Sequence, residues 1–302
     1  MEIFRRWASN PAVQRRVAYA VVAAQILVAL GGAVVRVTGS GLGCPTWPQC
    51  TPGSLLPTDD PELGQLHQWI EFGNRLLGAG VGLISALVFL VAIAARPRRR
   101  RLILLASTMP LGVLAQGVIG GFTVLMGLRW WTVALHFVPS AVLVWCAVLL
   151  ARAVGEGDGP AESLVPRPVR ALLITMTGTL ALLLVSGTLV TGAGPHAGDA
   201  RTSRLNLPVT DLAQLHGDVL CLFLGLLIAL GFVLRPLSGL AWRRYRLLLA
   251  AVLSQATIGI VQYRLGVPIV LAALHVLLAM LTVAALAGVW VATRERAPTP
   301  SS

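Results

Sequence analysis

The sequence contains no lysine, few acidic residues and few cysteines. Asp and Glu together number 12 and Cys numbers 4 among 302 residues, so all 24 basic residues are arginine. With 56 % hydrophobic and only 12 % charged residues, the composition excludes an ordinary soluble domain, a disordered chain and a fibrous chain. A transmembrane helix with its connection takes about 20 to 30 residues, so the length allows roughly eight to ten such helices and no large soluble domain.

The scarcity of acids leaves a formal net charge of +12. In a soluble protein this charge would suggest nucleic-acid binding, but here the arginines fall in short clusters between apolar stretches. Such clusters are typical of membrane topology signals. We therefore expect the lipid bilayer as a partner and no nucleic acid.

Eight stretches are free of Asp, Glu and Arg and are near or above spanning length. They predict an all-α membrane protein with eight transmembrane helices. The second helix is expected to begin near Leu66 and the sixth near Asp211, which brings polar residues into their first turns. The stretches are 17–35, 76–95, 102–128, 130–151, 171–190, 219–234, 247–263 and 265–293.

The arginine clusters also predict the orientation of the helices. Short loops rich in arginine stay in the cytoplasm, and such clusters precede helix 1 and join helices 2 and 3, 4 and 5, and 6 and 7. Both termini are therefore predicted to be cytoplasmic. No cleavage pattern follows the first apolar stretch, so we expect no signal peptide and a multi-pass protein of a bacterial-type cell membrane.

An internal repeat is visible in the spacing of glutamine and histidine. Gln116 precedes His136 by 20 residues and Gln255 precedes His275 by 20, within similar text. The ends of helices 1 and 5 also match, in GGAVVRVTGSGLGC and SGTLVTGAGPHAGD, which predicts two tandem four-helix halves. The two halves are then residues 17–152 and 170–293. A cytoplasmic N-terminal segment (1–16), a cytoplasmic linker (153–169) and a cytoplasmic tail (294–302) make up the rest of the chain.

Three histidines are predicted at one depth, about 10 Å below the outer boundary: His136 in helix 4, His216 in helix 6 and His275 in helix 8. Bis-imidazole haem ligation needs one histidine on each face of the macrocycle, from facing helices. His216 and His275 meet this requirement and predict a haem site in the second half. Zinc is less favoured, because no short histidine spacing or nearby thiolate accompanies them.

The first half has His136 as the repeat partner of His275, but its second ligand is ambiguous. Pairing IEFGNR with LAQLHG places Asn74 opposite His216 in the repeat, whereas the shared QLH places His67 there. The first alignment is preferred because it needs the smaller change in the sequence offset between the two halves. It leaves an amide at this position, and an amide is a poor iron ligand. Either His136 alone holds a haem there or His67 also takes part.

Glu71, Arg75 and Arg36 are the charged candidates near the outer boundary. Glu71 is the only carboxylate inside helix 2, which makes it a functional candidate, with an ion pair to Arg75 at i+4 as the alternative. Arg36 and Arg75 are placed to pair with haem propionates or to reach lipid headgroups.

The cysteines fall into two pairs. Cys44 and Cys50 lie in the short loop CPTWPQC on the predicted outer side, where disulfides are stable, and we expect them to form a structural or redox-active bridge. Cys146 and Cys221 lie in apolar helices and are expected to be packing residues.

Taken together, these motifs resemble the haem A synthase family. The matching segments are GGAVVRVTGSGLGCPTWPQC, IEFGNRLLG, ALHF, VTGAGPHAGD, QLHGD and ALHV, which extend over essentially the whole chain. The resemblance implies two similar four-helix bundles and the oxidation of the C8 methyl of haem O to a formyl group, giving haem A for a terminal oxidase.

The resemblance also implies roles for individual residues. His216 and His275 match the axial ligands of a retained haem b, and His136 matches the histidine at the substrate haem. Glu71 matches a catalytically important acid, and Cys44 with Cys50 matches a loop pair that can form a disulfide. The sequence departs from the family pattern Glu-x-x-His, because Asn74 stands at the histidine position.

His196, in GPHAGD, matches a family motif but is predicted to lie in an outer loop with a structural or propionate-side role. A haem O synthase and oxidase assembly factors are partners that the resemblance implies. A quinone is a candidate electron partner, and a homo-oligomer is left open. The competing hypotheses are a dihaem b-type electron carrier, a family member that has lost catalysis through Asn74, and a transporter with duplicated bundles.

Overall fold

The computed structural model describes residues 2–237 and 239–296 and is almost entirely helical over them. The elements are α1 (Glu2–Ala8), α2 (Pro11–Val37), α3 (Gln65–Ala94), α4 (Arg100–Leu125), α5 (Trp130–Ala153), β1 (Ala161–Ser163), α6 (Arg167–Ala193), α7 (Val209–Leu234), α8 (Gly239–Arg264), α9 (Ile269–Ala292) and β2 (Arg294–Arg296).

Helices α2 to α9 are each long and apolar enough to cross a membrane, which confirms the prediction of eight spanning helices. They contain 24 to 30 residues, or roughly 36 to 45 Å at 1.5 Å per residue. Large apolar side chains such as Leu83, Leu114 and Phe232 are exposed on their outer surfaces. A lipid environment accounts for this exposure, because hydrocarbon and not water is the solvent there.

Local signals in the sequence set the beginnings of the helices. The side chain of Asn10 accepts a 2.9 Å hydrogen bond from the backbone N–H of Ala12, and Pro11 occupies the first turn of α2. Prolines also precede α6, α7 and α9, at Pro166, Pro208 and Pro268. Because proline disfavours helical backbone in the residue before it, these positions end the loops sharply.

The eight long helices pack as two rings of four. In the first ring α2 contacts α3 and α5, and α4 contacts the same two helices; in the second, α6 contacts α7 and α9, and α8 contacts the same two. Within the described residues, α3 and α5 make no close backbone contact with each other, and neither do α7 and α9. Diagonal helices thus face each other across each ring. The tandem repeat itself stays a prediction.

The two rings meet through α9, which packs on α2 and α5, and through α5 on α6. The main apolar core extends across the interface between the rings. Ile26 and Val144 of the first ring lie in one apolar cluster with Met280 and Leu286 of α9. A second cluster around Val88, Met109 and Leu150 fills the first ring.

Both described chain ends lie at the same end of the bundle, which we call the arginine-rich end (residues 5–16, 96–101, 152–170, 235–246 and 294–296). There the backbone N–H of Arg96 donates to Ser9 Oγ, and the Arg99 guanidinium donates to the carbonyl oxygens of Ala153 and Val154. The opposite end is the histidine end (residues 38–67, 126–136, 191–218 and 262–275).

Two features of the arginine-rich end were not predicted. The segment 1–16 contains α1 and the first turns of α2, and the linker 153–169 contains β1, which pairs antiparallel with β2 of the tail. Ala161 lies opposite Arg296 and Ser163 opposite Arg294. The linker is therefore folded against the end of α9. The last part of the predicted tail, 297–302, lies outside the described residues.

Candidate functional site

His216 of α7 and His275 of α9 face each other across the second ring. Their ring centroids are 6.5 Å apart and their planes make an angle of 64°. A metal–imidazole bond is about 2 Å long, so two imidazoles on one metal need about 6 Å between ring centres. The pair predicted from sequence is therefore brought together at a separation that fits a shared iron.

Neighbouring polar groups orient the two rings. Ser186 Oγ donates to the carbonyl oxygen of Leu183 and lies 2.9 Å from Nδ1 of His216. With the hydroxyl proton so used, the Nδ1–H of His216 donates to Ser186, which leaves Nε2 as a free lone pair for a metal. On the other side, the Gln255 amide nitrogen lies 3.1 Å from Nε2 of His275.

Glycines make the space that the rings occupy. A Cβ added at Gly187 would lie 3.3 Å from Cε1 of His216, and one at Gly259 would lie 3.0 Å from Cε1 of His275. Nδ1 of His275 is buried and has no hydrogen-bond partner in the described part of the chain. Buried polar groups normally have a hydrogen-bond partner. An unpartnered buried nitrogen, in a space that glycines leave open, therefore fits a ligand-binding site.

His136 of α5 has a similar setting in the first ring. A Cβ at Gly120 would lie 3.2 Å from its Cε1, and Nδ1 is buried without a partner among residues 2–237 and 239–296. Gln116 does not contact the ring; its amide donates to the carbonyl oxygen of His136 and to Ser140 Oγ. The His136 ring therefore has no polar neighbour that competes for a ligand at Nδ1.

Asn74 occupies in the first ring the place that His216 occupies in the second. Its Oδ1 is buried without a partner among the described residues, and a Cβ at Gly31 of α2 would lie 2.5 Å from it. Gly31 thus stands toward Asn74 as Gly187 stands toward His216. The pairing of Asn74, and not His67, with His216 in the repeat stays a prediction.

His67 lies about two turns further out along α3 than Asn74. Its side chain is exposed, and Nδ1 is 2.9 Å from Ser40 Oγ. His67 thus lies nearer the outer side than Asn74, as predicted from the spacing, and its role as a substitute ligand stays a prediction.

Glu71 is 4 % exposed and both of its carboxylate oxygens are engaged. Oε1 accepts from the Arg75 guanidinium at 2.7 Å, and Oε2 accepts from the backbone N–H of Cys44 at 2.7 Å. Arg75 in turn donates to the carbonyl oxygens of Cys44, Thr46 and Gln49. The ion pair considered as the alternative from sequence is present, and it fixes the cysteine loop to α3.

The cysteine loop closes over the histidine end of the first ring. Cys44 and Cys50 form the predicted disulfide and are both buried. The indole of Trp47 lies directly against Gly121 of α4, where a Cβ would clash with it. The loop is therefore held on α3 by charge and on α4 by aromatic packing.

Arg36 connects the two rings at the histidine end. Its Nε donates a 2.7 Å hydrogen bond to the carbonyl oxygen of His196, and a terminal nitrogen donates a 3.0 Å hydrogen bond to the carbonyl oxygen of Thr191. His196 Nε2 lies 2.7 Å from the carbonyl oxygen of Val267, just before α9. Arg36 and Arg75 were expected to meet propionates or headgroups, but here their hydrogen bonds are to the protein.

Sequence reasoning missed the supporting residues: the serines beside His67 and His216 and the glycines beside the rings. A signal for two of the glycines was available, because Gly120 precedes His136 and Gly259 precedes His275 by the same 16 residues. Among the described residues no group of three or more His, Cys, Asp or Glu is arranged to hold a metal ion.

Comparisons with known proteins show which proteins this chain is similar to. A family model described as "Cytochrome oxidase assembly protein" matches residues 15–201. A protein of Shouchella clausii named "Heme A synthase" is 35 % identical over 148 residues, or 47 % of this chain and 46 % of that protein. Proteins of the same name from Lysinibacillus sphaericus and Shewanella oneidensis are 35 % identical over 179 residues and 27 % identical over 166. These matches cover 57 % of this chain and 56 % of the first protein, and 49 % of each chain for the second. The chain thus spans about half the length of the curated relatives it matches.

Proposed function

Because the chain belongs to the haem A synthase family of cytochrome oxidase assembly proteins, we propose that it is an oxidoreductase that converts haem O to haem A. The reaction is the oxidation of the C8 methyl of haem O to a formyl group. The observation that carries the proposal is the facing pair His216 and His275, with His136 in a matching setting in the other ring.

In this proposal His216 and His275 hold a resident haem b through their ring nitrogens. Ser186 fixes the tautomer of His216, and Gly187 and Gly259 give both rings room. When bound, haem b supplies one-electron transfer. The Gln255 amide nitrogen lies 3.1 Å from Nε2 of His275, and Nδ1 of the same ring is the buried, unpartnered nitrogen that would hold the group.

The first ring is proposed as the substrate haem site. His136 is the iron ligand, and Asn74 leaves the opposite side of the site without a strong ligand. Haem O carries an isoprenoid tail, so an entry path between helices from the lipid is favoured over transfer through water.

Glu71 and Arg75 are proposed to act on the substrate haem site by holding the cysteine loop in place. With both oxygens engaged, Glu71 acts here as a positioning residue that holds Cys44 and the loop over the first ring. A closed loop keeps water from the reacting edge, which strengthens every polar interaction beneath it. Arg36 is assigned the joining of the two rings.

The finer topology belongs to the same proposal. We place the arginine-rich end in the cytoplasm and the histidine end at the extracytoplasmic face of the cell membrane, with residues 17–152 and 170–293 as repeated halves. The matched contacts Gly120 to His136 and Gly259 to His275 support the repeat. A haem O synthase, terminal-oxidase assembly factors and a quinone are the proposed partners.

The experiment is extraction of the haems from cells that make haem O, with and without this protein, followed by chromatography and mass spectrometry. The proposal predicts a new haem whose mass corresponds to replacement of a methyl by a formyl group. The His136→Ala protein is the matched control, and it should retain haem b but make no haem A. Haem b with unchanged haem O in the wild type would instead indicate an electron carrier or an inactive relative.

A further inference from the structure

A cavity of about 550 Å³ lies at the arginine-rich end, far from the histidines. It is bounded by the beginning of α4, the end of α5, the linker and β2. Four arginines contribute to its wall, with Asp158 as the acid among the residues that line it: Arg100, Arg101, Arg294 and Arg296. The site proposed for haem uses none of these residues.

Asp158 and Glu156, the two acids beside the arginines of α4, are already engaged. Asp158 accepts from Nε of Arg99 at 3.2 Å and from the backbone N–H of Arg101 at 3.4 Å. Glu156 pairs with Arg101 at 3.0 Å and with Arg152 at 2.9 Å. Positive charge therefore exceeds negative charge within the wall, and the excess lies on Arg100, Arg294 and Arg296.

Two of these arginines have unused donors. The Nε atoms of Arg294 and Arg296 are buried and have no hydrogen-bond partner among the residues that the structure describes. A terminal nitrogen of Arg296 reaches the carbonyl oxygen of Gly159. Burial, followed by the neighbouring charge of Arg101, lowers the pKa of Arg294. An anion at this position would relieve both the missing hydrogen bonds and the repulsion.

The rest of the cavity lining is mostly apolar, with Thr108 as its polar member. Leu104, Leu105 and Leu149 line it, and Leu104 is 57 % exposed. Basic residues at a membrane boundary next to an apolar surface form the environment of a phospholipid, with the headgroup on the arginines and an acyl chain along the leucines.

We propose that this cavity binds a phosphate group, that of an anionic phospholipid headgroup, between β2 and the beginning of α4. The bound phosphate accepts hydrogen bonds from Arg294 and Arg296 and ties the tail strand to α4. The site is independent of the haem chemistry, so its failure would leave the proposed function untouched.

The test is native mass spectrometry of the purified full chain with phosphatidylglycerol, phosphatidylcholine or inorganic phosphate as probe. We expect phosphatidylglycerol to be retained more strongly than phosphatidylcholine. The double variant Arg294→Gln with Arg296→Gln should lose about fivefold in retention for each arginine removed. The control, Arg243→Gln with Arg246→Gln, removes the same charge from exposed positions at the same end and should retain the lipid.

A second variant keeps the test decisive if the double variant does not fold. Arg100 is exposed and lines the cavity, so Arg100→Gln should fold and still weaken phosphatidylglycerol retention by about fivefold. Binding of inorganic phosphate alone, lost in the same variants, would support the phosphate site but identify a free anion as its source. Equal retention of both lipids, or equal losses in the control variant, would overturn the proposal.

Discussion

The Nε atom of Arg36 donates a 2.7 Å hydrogen bond to the carbonyl oxygen of His196, and this bond joins the end of α2 to the loop after α6. The imidazole of His196 then contacts the carbonyl oxygen of Val267, two residues before α9 begins. Arg36 and His196 therefore link the two rings at the histidine end, beside the backbone hydrogen bond from Gly41 to Gly198. The helix that follows this link carries His275.

Replacement of Arg36 by Gln should loosen this link. The variant loses the charge-assisted hydrogen bonds to His196 and Thr191, which we expect to cost about 2 kcal/mol in the free energy of unfolding. The control is Arg201→Gln, because the Arg201 side chain is 70 % exposed and forms a surface ion pair with Asp199. Thermal unfolding in detergent should show a lower midpoint for the first variant alone. Equal midpoints would contradict the linking role.

A methyl group at Gly259 should disturb His275 specifically. The added Cβ would lie 3.0 Å from Cε1 of the ring, so the imidazole must move by a few tenths of an ångström. The expected result is weaker haem b retention, measured by the haem-to-protein ratio after purification. Gly225→Ala in α7 is the control, since a Cβ there meets no atom within 4 Å. Haem contents that match between the two variants would remove Gly259 from the site.

The Glu71→Gln variant should release the cysteine loop. It loses the ion pair with Arg75 while keeping an acceptor for the Cys44 N–H, a loss of about 2 kcal/mol for a charge-assisted contact. We expect an added thiol to reduce the Cys44–Cys50 bond faster in this variant than in the wild type. The rate is measured by labelling the freed cysteines and recording the change in protein mass. Glu62→Gln changes an exposed acid near the same loop and should behave as wild type. Unchanged reduction rates in Glu71→Gln would show that Glu71 does not hold the loop.

The Asn74→His variant should give the first ring a second imidazole. Gly31 lies beside Asn74 as Gly187 lies beside His216, so the new ring has room at the equivalent level. We expect the spectrum of the haem-loaded variant to gain a second bis-histidine haem signal in addition to that of the second ring. Asn74→Ala provides the comparison at the same position and should add no such signal. If the histidine variant also adds none while haem loading is normal, Asn74 does not face the substrate site.

The sequence predicted the parts of this protein that repeated, apolar patterns specify. Uncharged stretches of spanning length identified all eight long helices, since the bilayer sets their length. The spacing from Gln255 to His275 and the position of His216 predicted the facing histidines, because helical periodicity fixes depth and direction.

Other parts could not be predicted because their partners are backbone atoms or distant segments. Apart from the ion pair of Arg75 with Glu71, the acceptors of Arg36 and Arg75 are carbonyl oxygens, which every residue possesses and no sequence pattern marks. The strands β1 and β2 have three residues each and pair only because the linker meets the end of α9. The engagement of both Glu71 oxygens depends likewise on where the loop closes.

The most direct measurement of the central claim is the conversion of haem O by the purified protein in lipid nanodiscs, with a quinol supplied as electron donor and air as the source of oxygen. The products are separated by chromatography and identified by mass spectrometry. The account predicts formyl haem from the wild-type protein and none from His136→Ala, with haem b present in both. Recovery of unchanged haem O from a wild-type protein that holds haem b and oxidises the quinol would contradict it.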